Sequence, residues 1–185
     1  MVQHQFVCGG QRSGKSRYAE ATARRWQLVS ADRQLMYVAT ALGMDAEMQG
    51  RIHRHRMDRG DAFHTIEEPY DLSSVIQAHS APHQMLLIDC MTLWLTNWLM
   101  PADGQEQRAA EWSAQKAAFL SALRQAAGPV VMVSNEIGAG VIPLEPQVRR
   151  FIDELGRLNQ DVAQACDTIT WMVAGQPFTQ KVQPW

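Results

Sequence analysis

Three groups of residues in this 185-residue chain combine side-chain types and spacings that could do chemistry. The first is Gly9-Gly10-Gln11-Arg12-Ser13-Gly14-Lys15-Ser16, which fits the pattern GxxxxGK followed by Ser or Thr in full. Glycines at that spacing let the backbone curl until its N–H groups converge on phosphate oxygens, and a helix beginning near Lys15 adds its positive end. Lys15 can then reach the outer phosphates of a nucleotide, and the Ser16 hydroxyl can ligate Mg²⁺. The second group is Asp89, delivered by the apolar run Met85 to Ile88. A carboxylate at a strand end beside such a loop holds Mg²⁺ directly or through water.

The third group is basic: Arg51-Ile52-His53-Arg54-His55-Arg56-Met57-Asp58-Arg59. In a helix, Arg51, His55 and Arg59 stack at i, i+4 spacing, with Glu47 one turn earlier. Guanidinium groups grip phosphate oxygens at two points, and nearby positive charge keeps an imidazole neutral and able to attack phosphorus. Spacing alone leaves open whether His53 or His55 plays that part, or whether the segment is a solvated basic helix face.

The elements that must position these residues alternate between short apolar runs and helical patterns. Strands are expected at Phe6–Cys8, Leu35–Thr40, Phe63–Ile66, Met85–Ile88, Val130–Val133 and Ile169–Ala174. Helices are expected over Lys15–Trp26, Asp45–Arg59, Asp71–Ala78, Glu106–Ala126 and Glu145–Cys166, with Pro146 in a tolerated first-turn position. In the last helix, Val148, Phe151, Ile152, Leu155, Leu158 and Val162 follow the helical period. Apolar strands without alternation, joined by helices, predict an α/β fold of the P-loop NTPase type: a mainly parallel β-sheet with helices on both faces, in one domain over residues 1–185. Ligands bind such sheets at the carboxyl ends of the strands, where the first two groups fall.

Composition narrows the partners. A hydrophobic fraction of 46% excludes disorder, and a net charge of -2 leaves no global basic surface for nucleic acid. Cys8, Cys90 and Cys166 are scattered and fit no metal spacing, so they read as reduced thiols of a cytoplasmic protein. The most apolar segment, Met85 to Met100, is interrupted by Asp89 and Asn97 and is too short to span a bilayer. A plain small-molecule kinase would use the glycine-rich loop and leave the histidine idle. A regulatory GTPase should carry an NKxD guanine motif, where this chain has Ser134-Asn135-Glu136-Ile137. Asn135 and Glu136 sit where they could orient a hydroxyl or Mg²⁺, or merely cap a loop. Arg157, Asn159 and Gln160 lie on a helix with a clear core face and receive no role.

Taken together, GGQRSGKSRYAE, YVATA, RIHRHRMDR followed by TIEEPYDL, LLIDCMTLWLTN, VSNEIGAGVIP, and RRFIDELGRLNQDVA with a closing VAG resemble the bifunctional adenosylcobinamide kinase/adenosylcobinamide-phosphate guanylyltransferases of cobalamin biosynthesis. The resemblance runs from near the N-terminus to about Gly175. It implies phosphorylation of adenosylcobinamide by ATP or GTP. It also implies transfer of GMP from GTP, through a histidine, to adenosylcobinamide phosphate. The family's guanylylated histidine falls on His55. Its nucleotide contacts fall on Gly9 to Ser16, on Ala39, Thr40 and Ala41, on Arg56, Met57, Asp58 and Arg59, on Glu67 and on Asp89. Gly60 stands where a proline is common, and Asp89 where some members have Glu. The resemblance further implies a homo-oligomer, commonly a trimer. Trp94 and Trp98, at i, i+4 on an apolar segment with Leu95 and Leu99, read as core or as subunit interface, and the stripe is the candidate interface.

Overall fold

The computed structural model describes residues 3–42, 50, 60–101 and 108–183. Their strands form one seven-stranded sheet in the order β3-β2-β4-β5-β1-β6-β7. The strands are β1 (Gln5–Gly9), β2 (Gln34–Ala39), β3 (Phe63–Glu67), β4 (Gln84–Asp89), β5 (Val130–Asn135), β6 (Thr168–Val173) and β7 (Gln176–Lys181). The first six are mutually parallel, and β7 returns antiparallel to β6.

Helices cover both faces. They are α1 (Lys15–Gln27), α2 (Leu72–His79), α3 (Met91–Leu99), α4 (Arg108–Gln125) and α5 (Pro146–Gln164). Side chains alternate across a strand, so each apolar run feeds two cores. Val7, Leu35, Tyr37, Leu87, Val131 and Val133 pack with Ala19 and Ala23 of α1. Phe6, Val38, Leu86, Ile88 and Met132 face the other way, onto α2 to α5. Small residues on α1 let its backbone approach the sheet, which sets the start of that helix directly over the end of β1.

Three features differ from expectation. Residues Met91–Leu99 form a helix of their own, capped by the Cys90 sulfur, which accepts from the Leu93 N–H at 3.4 Å. The tail after Gly175 carries β7, joined to β6 by a two-residue turn with positive φ at Ala174 and Gly175. That turn is the kind that matches strand twist, and an all-exposed strand gives no apolar period to read. Finally, Trp94 and Trp98 are not a subunit face: they are 0% and 5% exposed. Trp94 packs edge-on against Trp112 at 4.9 Å and donates its indole N–H to the Tyr70 carbonyl at 2.7 Å, while Trp98 packs edge-on against Tyr70. Helices α2, α4 and α5 cover the stripe, so its apolar content is core. In α5, Phe151, Leu155, Leu158 and Val162 are buried as expected, whereas Val148 is 37% exposed.

Candidate nucleotide site

The loop from Gly9 to Ser16 links β1 to α1 at the carboxyl edge of the sheet. Two of its glycines, Gly9 and Gly14, are required by the backbone. A Cβ on Gly9 would lie 2.4 Å from the Met172 carbonyl oxygen, and Gly14 takes φ +97 at the helix cap. Arg12 also adopts positive φ, so the chain reverses tightly above the strand. Neighbouring strands brace the loop: the Glu136 N–H donates to the Gly9 carbonyl at 3.0 Å, and the Gly175 N–H to the Ser13 carbonyl at 3.0 Å. Ser13 is buried, and its hydroxyl has no hydrogen-bond partner among the described residues. A buried orphan hydroxyl inside a glycine-rich loop is what a bound oxyanion would satisfy.

Lys15 is buried, and its Nζ donates to the Gly10 carbonyl at 2.6 Å, folding the ammonium over the loop. Burial pushes its pKa down, against the opposing pull of Cys90 and of the Asp89 carboxylate. The two sequence-predicted groups, loop and carboxylate, are thus close enough to feel each other's charge. Asp89 ends β4, two strands from β1, and the Tyr37 hydroxyl donates to its Oδ2 at 3.1 Å. Ser16 lies in the first turn of α1, half-buried. Gly10, Gln11 and Arg12 are exposed along the loop.

Cys8 and Cys90 flank this centre. Burial raises Cys8 to about 11, with the Glu136 carboxylate adding to the effect, and raises Cys90 to about 12. Both thiols stay protonated at neutral pH, so neither is a nucleophile there.

Ala39, which ends β2, and Ala41 beyond it are half-buried, but Thr40 between them is fully buried. Its hydroxyl donates to the Cys90 carbonyl at 2.8 Å and accepts from the Cys90 N–H at 2.9 Å. The Thr40 side chain therefore locks the β4–α3 turn that presents Asp89. Glu67 is exposed at the end of β3. Its neighbour Glu68 caps the following turn, accepting from the Tyr70 and Asp71 N–H groups at 2.9 Å. His53, His55, Arg56, Met57, Asp58 and Arg59 lie outside the described residues.

Sequence reasoning missed the residues that hold the strand ends. Asn97 donates to the Thr40 and Pro69 carbonyls at 2.8 and 2.9 Å. Asn159 accepts from the Ser134 hydroxyl at 2.7 Å and donates to the Asn135 carbonyl at 3.1 Å. Thr92 accepts from the Asn135 N–H at 2.9 Å. The available signal was a polar residue on an apolar helix face, which burial permits only with partners.

The Ser16 hydroxyl and the Asp89 carboxylate offer oxygen, the donor type a hard cation takes. Among the described residues no cluster of three or more His, Cys, Asp or Glu side chains could cage a metal. Mg²⁺ needs no such cage, because it is usually held by one or two protein oxygens together with substrate phosphates. The Ser16 hydroxyl and the Asp89 carboxylate fit that donor set.

Comparison with known proteins gives the same reading. The chain is 40% identical over 179 residues to the bifunctional adenosylcobalamin biosynthesis protein CobP of Pseudomonas aeruginosa, covering 97% of this chain and 98% of that protein. It is 34% identical over 179 residues to the bifunctional adenosylcobalamin biosynthesis protein CobU of Escherichia coli, covering 92% and 95% respectively. Among solved structures, an ATPase domain has a similar fold, with a TM-score of 0.50 at 14% identity over 91% of this chain and 68% of that one, which supports the P-loop α/β architecture. The family model for cobinamide kinase / cobinamide phosphate guanyltransferase matches residues 5–180, and the chain belongs to that family of kinases and nucleotidyltransferases.

Proposed function

We propose that one domain and one phosphate loop serve both activities, and that the guanylyl group passes through His55. The observation that carries this reading is the glycine-rich loop with Lys15 buried over it and Asp89 beside it. In the kinase step, ATP or GTP binds with its phosphates against the N–H groups of residues 9–16. The aminopropanol hydroxyl of adenosylcobinamide attacks the γ-phosphorus and gives up its proton, the bond to the β-phosphate oxygen breaks, and ADP or GDP leaves, while Lys15 stabilises charge on the transferring phosphoryl group. Ser16 and Asp89 would hold Mg²⁺, which neutralises phosphate charge when bound.

In the guanylyl step, a neutral His55 nitrogen attacks the α-phosphorus of GTP. The bond to the β-phosphate oxygen breaks, pyrophosphate leaves, and the imidazole loses its proton. A phosphate oxygen of adenosylcobinamide phosphate then attacks the same phosphorus, the N–P bond breaks, and adenosyl-GDP-cobinamide forms. Arg56, Met57, Asp58, Arg59, Glu67 and the Ala39–Ala41 segment complete the nucleotide contacts in this reading. The enzyme works in the cytoplasm as a homo-oligomer. Among the described residues no helix is long and apolar enough to cross a membrane.

The test is GTP labelled in the α-phosphate. The wild-type chain should acquire label through an acid-labile, base-stable bond, and His55→Ala should lose the label while still phosphorylating cobinamide. Label on His53 or a lysine overturns the assignment. A chain that never labels yet phosphorylates cobinamide is a plain kinase.

A further inference from the structure

The loop between β5 and α5 has a composition that the nucleotide chemistry does not use. It begins beside the phosphate loop, where the Glu136 N–H bonds to the Gly9 carbonyl and the Glu136 carboxylate accepts from the Gly138 N–H at 3.0 Å. It ends on α5, where Arg149 donates to the Pro143 carbonyl at 3.0 Å. Between these anchors, Val141, Ile142 and Leu144 are 95%, 76% and 92% exposed. Aliphatic side chains left so open, side by side on a loop pinned at both ends, are costly in water unless something covers them. The first turns of α5, which receive the loop, also wall an open cavity of about 440 Å³ through Gln147, Arg150 and Phe151, with Leu99, Met100, Pro101 and Ala109 opposite; the three aliphatic side chains lie outside its lining. That volume is within the range of small-molecule sites.

We infer that Val141, Ile142 and Leu144 form the surface that receives the corrinoid acceptor. The inference rests on the cobinamide kinase/guanyltransferase reading. A corrinoid is a large macrocycle whose rim mixes methyl groups with amide arms, so it needs an apolar rest with polar groups at the margin. The loop supplies the aliphatic rest, and Gln147 and Arg150 supply donors for amide carbonyls. Position agrees as well: the loop that carries these side chains starts at Glu136, whose N–H bonds to the Gly9 carbonyl of the phosphate loop. A second copy of the chain is a poorer occupant, since a stable interface buries roughly 800 Å² a side, far more than three aliphatic side chains present.

The experiment is steady-state kinetics of the triple variant Val141→Ser, Ile142→Ser, Leu144→Ser, with labelling by α-labelled GTP and light scattering on the same sample. These side chains are solvent-facing, so the variant should fold and label like wild type. The expected result is a KM for cobinamide raised about tenfold or more, the scale of lost apolar contacts in a binding site. The KM for the nucleotide and the mass in solution should not change. An unchanged cobinamide KM overturns the inference, and so does a fall in mass, which would make the loop an interface between copies. If wild type itself fails to phosphorylate cobinamide, the functional reading fails instead, before the variant is consulted.

Discussion

Lys15 carries most of its chemistry in where its charge sits. Burial pushes its ammonium below the ordinary lysine value of 10.5, and the charge persists because Asp89 and a backbone carbonyl lie near it. Lys15→Ala should reduce kcat for nucleotide turnover by about 100- to 1000-fold, the cost of one lost donor to a developing oxyanion. The fold should survive, because Lys15 is the first residue of α1 and alanine is a good helix former there. The sign of the pH dependence follows from the shift. The ammonium is charged below its pKa, so kcat/KM for the nucleotide should fall on the alkaline side, starting at a lower pH than a free lysine would give. A profile for Lys15→Ala that keeps the wild-type alkaline limb would assign that limb to another group.

The elements decide which tryptophans matter and why. Helix α3 buries Met91, Trp94, Leu95 and Trp98 in the core that it shares with the sheet and with helices α4 and α5. Trp94→Ala should therefore cost about 3–5 kcal/mol of stability, the range for emptying a large aromatic site. Denaturant midpoints should drop while the mass by light scattering stays the same; a lower mass at unchanged stability would restore the interface assignment. The same stripe shows what a sequence can and cannot disclose. Glycine spacing, Lys15 and the apolar run before Asp89 are local signals, so the phosphate loop, its helix and six parallel strands were legible. Whether Trp94 and Trp98 meet solvent, a partner or Phe119 depends on helices distant in the chain, and the period is the same in each case. Asn97, Thr92 and Asn159 were hidden for a related reason: their partners are carbonyls, hydroxyls and amides on other elements. Strand β7 was hidden because its side chains are exposed, leaving pairing with β6 as its main reason to exist.

At the scale of the whole molecule, one residue ahead of β1 ties three strands of the sheet together. His4 accepts the Val130 N–H at its Nδ1 at 3.2 Å, and its backbone N–H donates to the Asp167 carboxylate at 2.7 Å. The starts of β1, β5 and β6 are thereby held in line. Burial lowers the His4 pKa, outweighing the opposing pull of Asp167. Between that lowered value and the ordinary 6.5, the unfolded chain binds a proton that the folded chain refuses, so stability falls as pH drops below 6.5. The slope from this one group is at most about 1.4 kcal/mol per pH unit. Denaturant midpoints at pH 7.5 and 5.5 should show the loss in wild type and a smaller one in His4→Ala; equal losses would place the pH dependence elsewhere.

The strand order also has a consequence in time. β1 is the first of these strands to leave the ribosome, yet its two neighbours in the sheet are among the last: Phe6 aligns with Met132 on one side and Ile169 on the other. The brace from Gly175 to Ser13 comes later still. Synthesis proceeds at about 5–20 residues per second, so the phosphate loop exists for many seconds as an unpaired segment before the strands that shape it are made. Long-range pairing of this kind is slow and leaves strand edges open meanwhile. The residues that define the enzyme's chemistry are translated first and assembled last, and a nascent chain short of Gly175 has no finished cradle in which to hold a nucleotide.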